Sequence, residues 1–276
     1  MKKLTGIILS ITLVISLLFP MRANAAQSNA YDYSLVFDWE YYYNTYSDLQ
    51  QNIGKDEAAL FYHFLTSGMK EGRNGCANFQ LRAYMFNNLD LLGLYGIDDL
   101  SVYYYHYMKK GHKEGRVAIY PNGVGFPQDT LACFSTLYKT GENRGSNVEL
   151  AASKLNGLVI QPGQAFSFSD SIQPRTLENG YLPAASYSGG QVISSVGGGI
   201  CQVSSTLYVT MLLSGIPATE HHFHSMSVSY VPKGLDATIS EGHKDLCFIN
   251  PYACPITVVT NTQDGILTIA IKQVTP

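Results

Sequence analysis

The stretch Gly197-Gly198-Gly199-Ile200-Cys201 sets three glycines in front of the most nucleophilic side chain a protein carries. The run that follows, QVSSTLYVTMLLS from Gln202 to Ser214, reads as a helix, with Val203, Leu207, Met211 and Ser214 near one stripe and Gly215 as its stop. Cys201 then sits at or just before a helix N-terminus. Unpaired N–H groups and the positive end of the helix dipole act there, favouring thiolate over thiol. The same N–H groups suit the oxyanion of acyl transfer. Gly198 and Gly199 would let backbone and substrate approach the sulfur, and Gln202, Ser204 and Ser205 follow as candidates for oxyanion or substrate contact. The bland alternative is a buried structural cysteine after a flexible turn.

A nucleophile needs a base, and Glu220-His221-His222-Phe223-His224-Ser225 offers candidates. Read as a strand from His222 to Val231, this segment puts His222, His224, Met226 and Val228 on one face. One of the two histidines would polarise Cys201, and the other would orient it or bind substrate. His-x-His on a strand is also a zinc pattern, with Cys201 as a third ligand and His243 or Asp245 as a fourth. That alternative is a zinc hydrolase or a structural zinc site, and it lacks a second compact ligand pair. The thiol reading requires no cofactor and no metal.

The elements that must position these residues read as an α+β domain from about residue 129 to 276. Its pieces are an apolar stretch Leu131–Leu137, a helix with the capping-box form Ser146-Asn147-Val148-Glu149, and short strands Leu158–Ile160 and Ala165–Phe168. After the central helix, β-branched residues and alternation mark Cys247–Ile249, Ile256–Thr260 and Ile266–Ile271. The last two flank a turn ending in Asp264-Gly265, a hairpin signal. A mostly antiparallel sheet is expected.

Ahead of it, Phe37–Arg73 and Phe79–Arg116 repeat each other, and a small all-α unit over residues 37–118 follows from them. Asp48-Leu49 matches Asp90-Leu91, His63 matches His106, Gly68 matches Gly111, and each unit ends Glu-Gly-Arg. Gly68 and Gly111 are expected to end a helix. The clustered tyrosines suit either sugar stacking or inter-repeat packing. Ala118–Gln128, with two prolines and two glycines, reads as a linker, as do residues 26–36.

Lys2-Lys3, an apolar run from Leu4 to Phe19 and Ala23-Asn24-Ala25 form the pattern of a secretory signal peptide over residues 1–25. No later stretch is long and apolar enough to span a bilayer, so a secreted, extracytoplasmic protein is expected. Removing Lys2, Lys3 and Arg22 leaves 15 basic residues against 21 acidic ones, a formal charge of −6. With no basic run, nucleic acid is excluded as a natural partner. The five cysteines are too few for a disulfide-built scaffold; Cys247 and Cys254 flank a turn and are candidates for a pair.

The C-terminal domain resembles the VanW family. The resemblance is carried by Asn143-Arg144, Leu150 to Gly157, Pro162 to Phe168, Pro174-Arg175-Thr176, Gly180-Tyr181, Gly197 to Tyr208, His222 to Ser225, Tyr230-Val231-Pro232 and Asp236-Ala237-Thr238. It covers nearly all of residues 130–275 in order, and the block from Gly197 to Tyr208 is its most specific part. The repeats are similar to short Glu-Gly-Arg-ending repeats in secreted proteins of Gram-positive bacteria. The family resemblance implies a cysteine L,D-transpeptidase acting on peptidoglycan stem peptides. Cys201 would attack the carbonyl between diaminopimelate and a terminal D-alanine, and an acceptor diaminopimelate amine would resolve the thioester. Arg144 or Arg175 would pair with a substrate carboxylate. It also leaves room for a non-catalytic wall-binding accessory protein linked to glycopeptide resistance, with the repeats holding a glycan or wall polymer.

Overall fold

The computed structural model describes residues 31–274 apart from Asn122, Val124 and Gly189, so the signal-peptide reading lies outside the described residues. The fold is α+β, with an all-helical N-terminal region and antiparallel sheets behind it.

Each repeat folds as three short helices: α1 (Trp39–Thr45), α2 (Ser47–Asn52) and α3 (Glu57–His63) in the first, α4 (Leu81–Asn87), α5 (Leu89–Tyr95) and α6 (Ser101–His106) in the second. Asp38 and Asp56 cap α1 and α3 through their carboxylates. Gly68 and Gly111 are not left-handed terminators. Each lies in a wider turn that continues α3 or α6, and a Cβ there would overlap the hydroxyl of Tyr42 or Tyr84. Those hydroxyls in turn meet His63 Nδ1 at 3.0 Å and His106 Nδ1 at 2.8 Å. Positive φ falls instead, after these helices, on Gly72 and Gly115 inside the Glu-Gly-Arg triplets. The triplet's arginine folds back on its own glutamate and on the aspartate of the second helix: Arg73 on Glu71 and Asp48, Arg116 on Glu114 and Asp90. The repeated residues thus form one internal clamp made twice.

The tyrosines are mostly packing. Tyr42, Tyr84, Tyr103 and Tyr104 are fully buried, and Phe64, Phe79, Tyr104 and Tyr107 stack edge and face across the two repeats. The parts of the two expected linkers that lie among the described residues carry side chains packed on the repeats. Val36 is buried, and Tyr120 and Phe126 pack on Phe86.

The α+β part begins with β1 (Thr130–Leu137) and α7 (Asn143–Leu155). Then come β2 (Leu158–Ile160), β3 (Ala165–Ser167), α8 (Phe168–Ile172) and a hairpin of β4 (Pro183–Ser188) and β5 (Gln191–Val196). The central helix α9 runs Ile200–Leu213 and is followed by β6 (Ala218–Glu220), β7 (Cys247–Ile249), β8 (Ile256–Gln263) and β9 (Ile266–Gln273). One sheet has the order β1-β9-β8-β2, a second β3-β7-β6, and β4-β5 stands apart. The β8–β9 turn has positive φ at both Asp264 and Gly265, as the Asp-Gly signal requires.

Within the α+β part, two expectations about elements fail. α7 starts a turn before the Ser146 capping box, because Asn143 donates to Pro183 O and Gly145 lies against the Lys139 carbonyl, where a Cβ would not fit. Glu149 instead accepts from the Tyr138 hydroxyl at 2.8 Å. The strand from His222 to Val231 does not form: 221–231 is irregular and bonds to the returning segment 236–238.

α9 has no solvent face. On one side, Val203, Leu207 and Met211 share a core with residues of α7, β8 and β9. The other side, Val209, Leu212 and Leu213, shares a core with Leu91, Leu92 and the aromatic residues of the repeats. Arg82 reaches the Leu213 carbonyl at 3.5 Å, and Gly93 and Gly234 approach backbone to backbone.

Candidate active site

Cys201 is the second residue of α9, and the helix is capped by Gly199 at φ 109°, a conformation open to glycine and rarely to anything else. Gly197 is also left-handed. Gly198 is a glycine for a different reason: a Cβ would strike the Ala184 carbonyl of β4. The glycine run therefore seats the helix start between α7 and the β4–β5 hairpin, and substrate approach is not what requires it. Asn147 locks this seat. Its amide donates to Leu182 O at 2.8 Å and Gly198 O at 2.9 Å, and its oxygen accepts from Leu182 N–H at 2.8 Å.

The sulfur of Cys201 is 3.8 Å from both Thr238 Oγ1 and Ile239 O. His224 lines the same cleft, and its charge acts on the sulfur. The His224 ring gives Nδ1 to Asp236 Oδ2 at 2.8 Å, and the same oxygen accepts the His224 backbone N–H at 2.7 Å. That leaves Nε2 as the ring nitrogen for the thiol. Burial pushes the Cys201 thiol up, but the hydrogen bond and charge of His224 and the backbone at Ile239 outweigh it, and the net shift is downward. For His224, burial opposes the charged form, and the hydrogen bonds to Cys201 and Asp236 reverse the sign, so its pKa is raised. Both shifts favour the thiolate–imidazolium pair.

Asp236 is the residue that sequence reasoning missed. It belongs to the Asp236-Ala237-Thr238 motif and is almost fully buried. A buried carboxylate is expensive unless it is partnered, and His224 is that partner; the signal in the sequence was its place in the Asp236-Ala237-Thr238 block. Ser204 and Ser205 fasten its segment to α9. Ser204 donates to Ala237 O at 2.6 Å, and Ser205 accepts the Ala237 N–H at 2.9 Å while donating to Cys201 O at 2.7 Å. Both serines are fully buried and tie the segment 236–238 to α9. Gln202 is likewise buried; it donates to Thr136 Oγ1 and Leu137 O, and accepts Arg144 Nη1 at 2.8 Å.

His222 is not part of this arrangement. Its Nε2 lies 3.0 Å from Glu220 Oε1, on a different carboxylate from the one that holds His224. The zinc alternative needs those two imidazoles to converge, and the irregular backbone turns them apart; the described residues hold no group of three or more ligand side chains placed around one point. Cys247 and Cys254 are unpaired; Cys247 Sγ faces Asp245 Oδ2 at 3.4 Å, and burial with the Asp245 charge lifts its thiol to about 12.

Cys201 and His224 open into a cleft of about 860 Å³, walled on one side by Tyr187, Val192 and Ile193 of the hairpin. Gly198, Gly199, Arg144 and Arg175 line it as well. His222, Ser204 and Ser205 are absent from its lining among the described residues.

Fold and site together define an α+β domain in which a helix-capped thiol is paired with a carboxylate-held histidine. Residues 143–272 match the family described as VanW like protein, and this part of the chain is a VanW-type domain. Among curated proteins the chain is 36% identical over 132 residues to a Bacillus subtilis (strain 168) protein described as uncharacterized protein YoaR, covering 48% of this chain and 44% of that one. It is 32% identical over 136 residues to the Vancomycin B-type resistance protein VanW of Enterococcus faecalis (strain ATCC 700802 / V583), covering 48% of this chain and 49% of that protein. The chain thus spans about half the length of the curated relatives it matches. No solved structure matches it. No helix among the described residues is long and apolar enough to cross a membrane.

Proposed function

We propose that this protein is a secreted peptidoglycan-modifying enzyme, a cysteine L,D-transpeptidase that joins diaminopimelate to diaminopimelate. The observation that carries the reading is the Cys201–His224–Asp236 arrangement at the N-terminus of α9 inside a cleft. The signal-peptide pattern of residues 1–25 supports an extracytoplasmic site of action. The vancomycin B-type resistance name of the Enterococcus relative supports a cell-wall role.

In this reading His224 Nε2 takes the Cys201 proton, and the thiolate attacks the carbonyl between diaminopimelate and D-alanine. The N–H groups of Ile200 and Gln202 are turned back on Gly197 O and Gly199 O, which leaves the Cys201 N–H as the donor for the developing oxyanion. Imidazolium returns its proton to the departing amine of D-alanine as the C–N bond breaks, leaving a thioester. An acceptor amine then attacks that thioester, gives its proton to His224 and expels the thiolate. Asp236 keeps Nδ1 protonated throughout, so Nε2 is the nitrogen that moves protons.

The test is mass spectrometry of a purified disaccharide-tetrapeptide after incubation with the mature protein and with Cys201→Ala. Diaminopimelate–diaminopimelate dimers, or an acyl adduct on Cys201, formed by the wild type alone are expected. Intact substrate with both folded proteins would sink the reading.

A further inference from the structure

Among the described residues, Arg175 is the cleft-lining arginine with two buried nitrogens that lack a hydrogen-bond partner. Its side chain is 10% exposed, and Nε and Nη2 are both buried without a hydrogen bond among the described residues. Arg144, the other arginine of the cleft, is already engaged: Nη1 is on Gln202, and the guanidinium lies over the Tyr230 ring at 6.0 Å. Leaving a permanently charged group buried and unsatisfied is costly, and the geometry a guanidinium fork completes best is a carboxylate.

An acidic group faces Arg175. Glu241 Oε2 is 3.7 Å from Nη2, too far for a hydrogen bond, and 69% of the Glu241 side chain is in solvent. Glu241 is presented by a tight turn in which Ser240 N–H donates to Lys244 O and His243 N–H to Ser240 O, both at 2.9 Å. It follows Ile239, whose carbonyl is 3.8 Å from the Cys201 sulfur, by only two residues, so their Cα atoms are at most about 7 Å apart. The cleft therefore offers a cation and an anion side by side, neither saturated, close to the nucleophile.

We propose that Arg175 and Glu241 form a subsite for a free α-amino-acid end, with its carboxylate on Arg175 and its ammonium on Glu241; the ammonium gives one proton to solvent before its lone pair attacks the thioester, and the second proton goes to His224. The inference rests on the acyl-transfer reading and names the acceptor that reading requires: an amine that carries a carboxylate on the same carbon. A plain alkylamine, such as a lysine side chain, offers nothing to Arg175 and would be a poor acceptor.

Binding to the Cys201→Ala protein, followed by NMR, tests this without turnover. Three probes share the same five-carbon stretch between their two ends: meso-diaminopimelate carries both groups, pimelate only the carboxylates, cadaverine only the amines. Saturable binding of diaminopimelate is expected, with pimelate and cadaverine each weaker by at least about tenfold, the loss of one charge-assisted contact. Arg175→Gln should abolish the preference over cadaverine. Because that substitution touches a buried group, Glu241→Gln provides an independent variant at an exposed position, and it should erase the preference over pimelate. Equal binding of all three probes, no saturable binding of diaminopimelate, or an unchanged preference in Glu241→Gln would overturn the subsite. Selective binding by a protein that transfers no acyl group would retire the enzyme reading and leave the subsite. Transfer to cadaverine as readily as to diaminopimelate would do the reverse.

Discussion

A thiol at the start of a helix is common; one whose histidine is held by a buried carboxylate is a narrower object. Asp236 accepts two hydrogen bonds from His224, one from the ring and one from the backbone, through a single oxygen. Asp236→Asn should therefore leave the fold intact and disturb the proton. With an amide at this position the ring is no longer held with Nδ1 protonated, and the imidazolium loses its counter-charge. The lowered Cys201 thiol should rise, so the pH at which iodoacetamide alkylation reaches half its maximum rate moves upward, towards that of an ordinary thiol. Any acyl transfer should fall by about 10²–10⁴-fold. An alkylation profile that does not move would mean that Asp236 plays no part in setting the thiol. Cys201 and His224 were legible because the glycines and the His-x-His mark them locally. Asp236 was not, since it pairs through a loop that folds back irregularly, where neither helical nor strand periodicity relates it to His224.

Among elements, the joints between helices and the hairpin matter more than the helices themselves. Asn147 satisfies three backbone groups at the α7–hairpin–α9 junction while fully buried. Asn147→Ala orphans them, and one buried unsatisfied group costs about 1–3 kcal/mol. A loss of at least about 2 kcal/mol in urea unfolding is expected, together with slower alkylation of Cys201 as the helix start loosens. In the repeats, Gly111→Ala should destabilise by about 1–3 kcal/mol through overpacking on the Tyr84 hydroxyl. Combining it with Tyr84→Phe should recover part of that loss, a coupling that thermal unfolding of the four proteins in a double-mutant cycle reads directly. Additive losses would show that the hydroxyl is not the obstacle. The sequence made the repeat, the Asp-Gly hairpin and the Gly215 stop visible, because each is local chemistry. It misdirected at Ser146 and Gly68. A capping pattern lost there to tertiary contacts of Asn143 and Gly145, and a glycine that looked like a terminator was a gap for a tyrosine hydroxyl.

At the scale of the whole molecule, the repeats and the VanW-type domain share one core across the back of α9. Deleting residues 37–118 would strip Val209, Leu212, Leu213, Val231 and Leu235 of their cover. The truncated protein should aggregate or unfold at lower temperature, and size-exclusion chromatography with thermal unfolding checks it. A monodisperse truncation with unchanged alkylation of Cys201 would separate the two parts. The sequence carried a hint of this arrangement, for the run from Val203 to Leu213 has no polar face wide enough to meet water. Periodicity alone does not say which neighbour covers which side.

The double-sided burial of α9 bears on how such a domain can be inherited. The nucleophile's helix has its rear wall supplied by a segment outside residues 143–272. A gene carrying only that stretch would inherit Cys201 and His224 without the residues that cover the back of α9. When this module moves between proteins, either the repeats travel with it or the positions of Val209, Leu212 and Leu213 must change in step with whatever new partner takes their place.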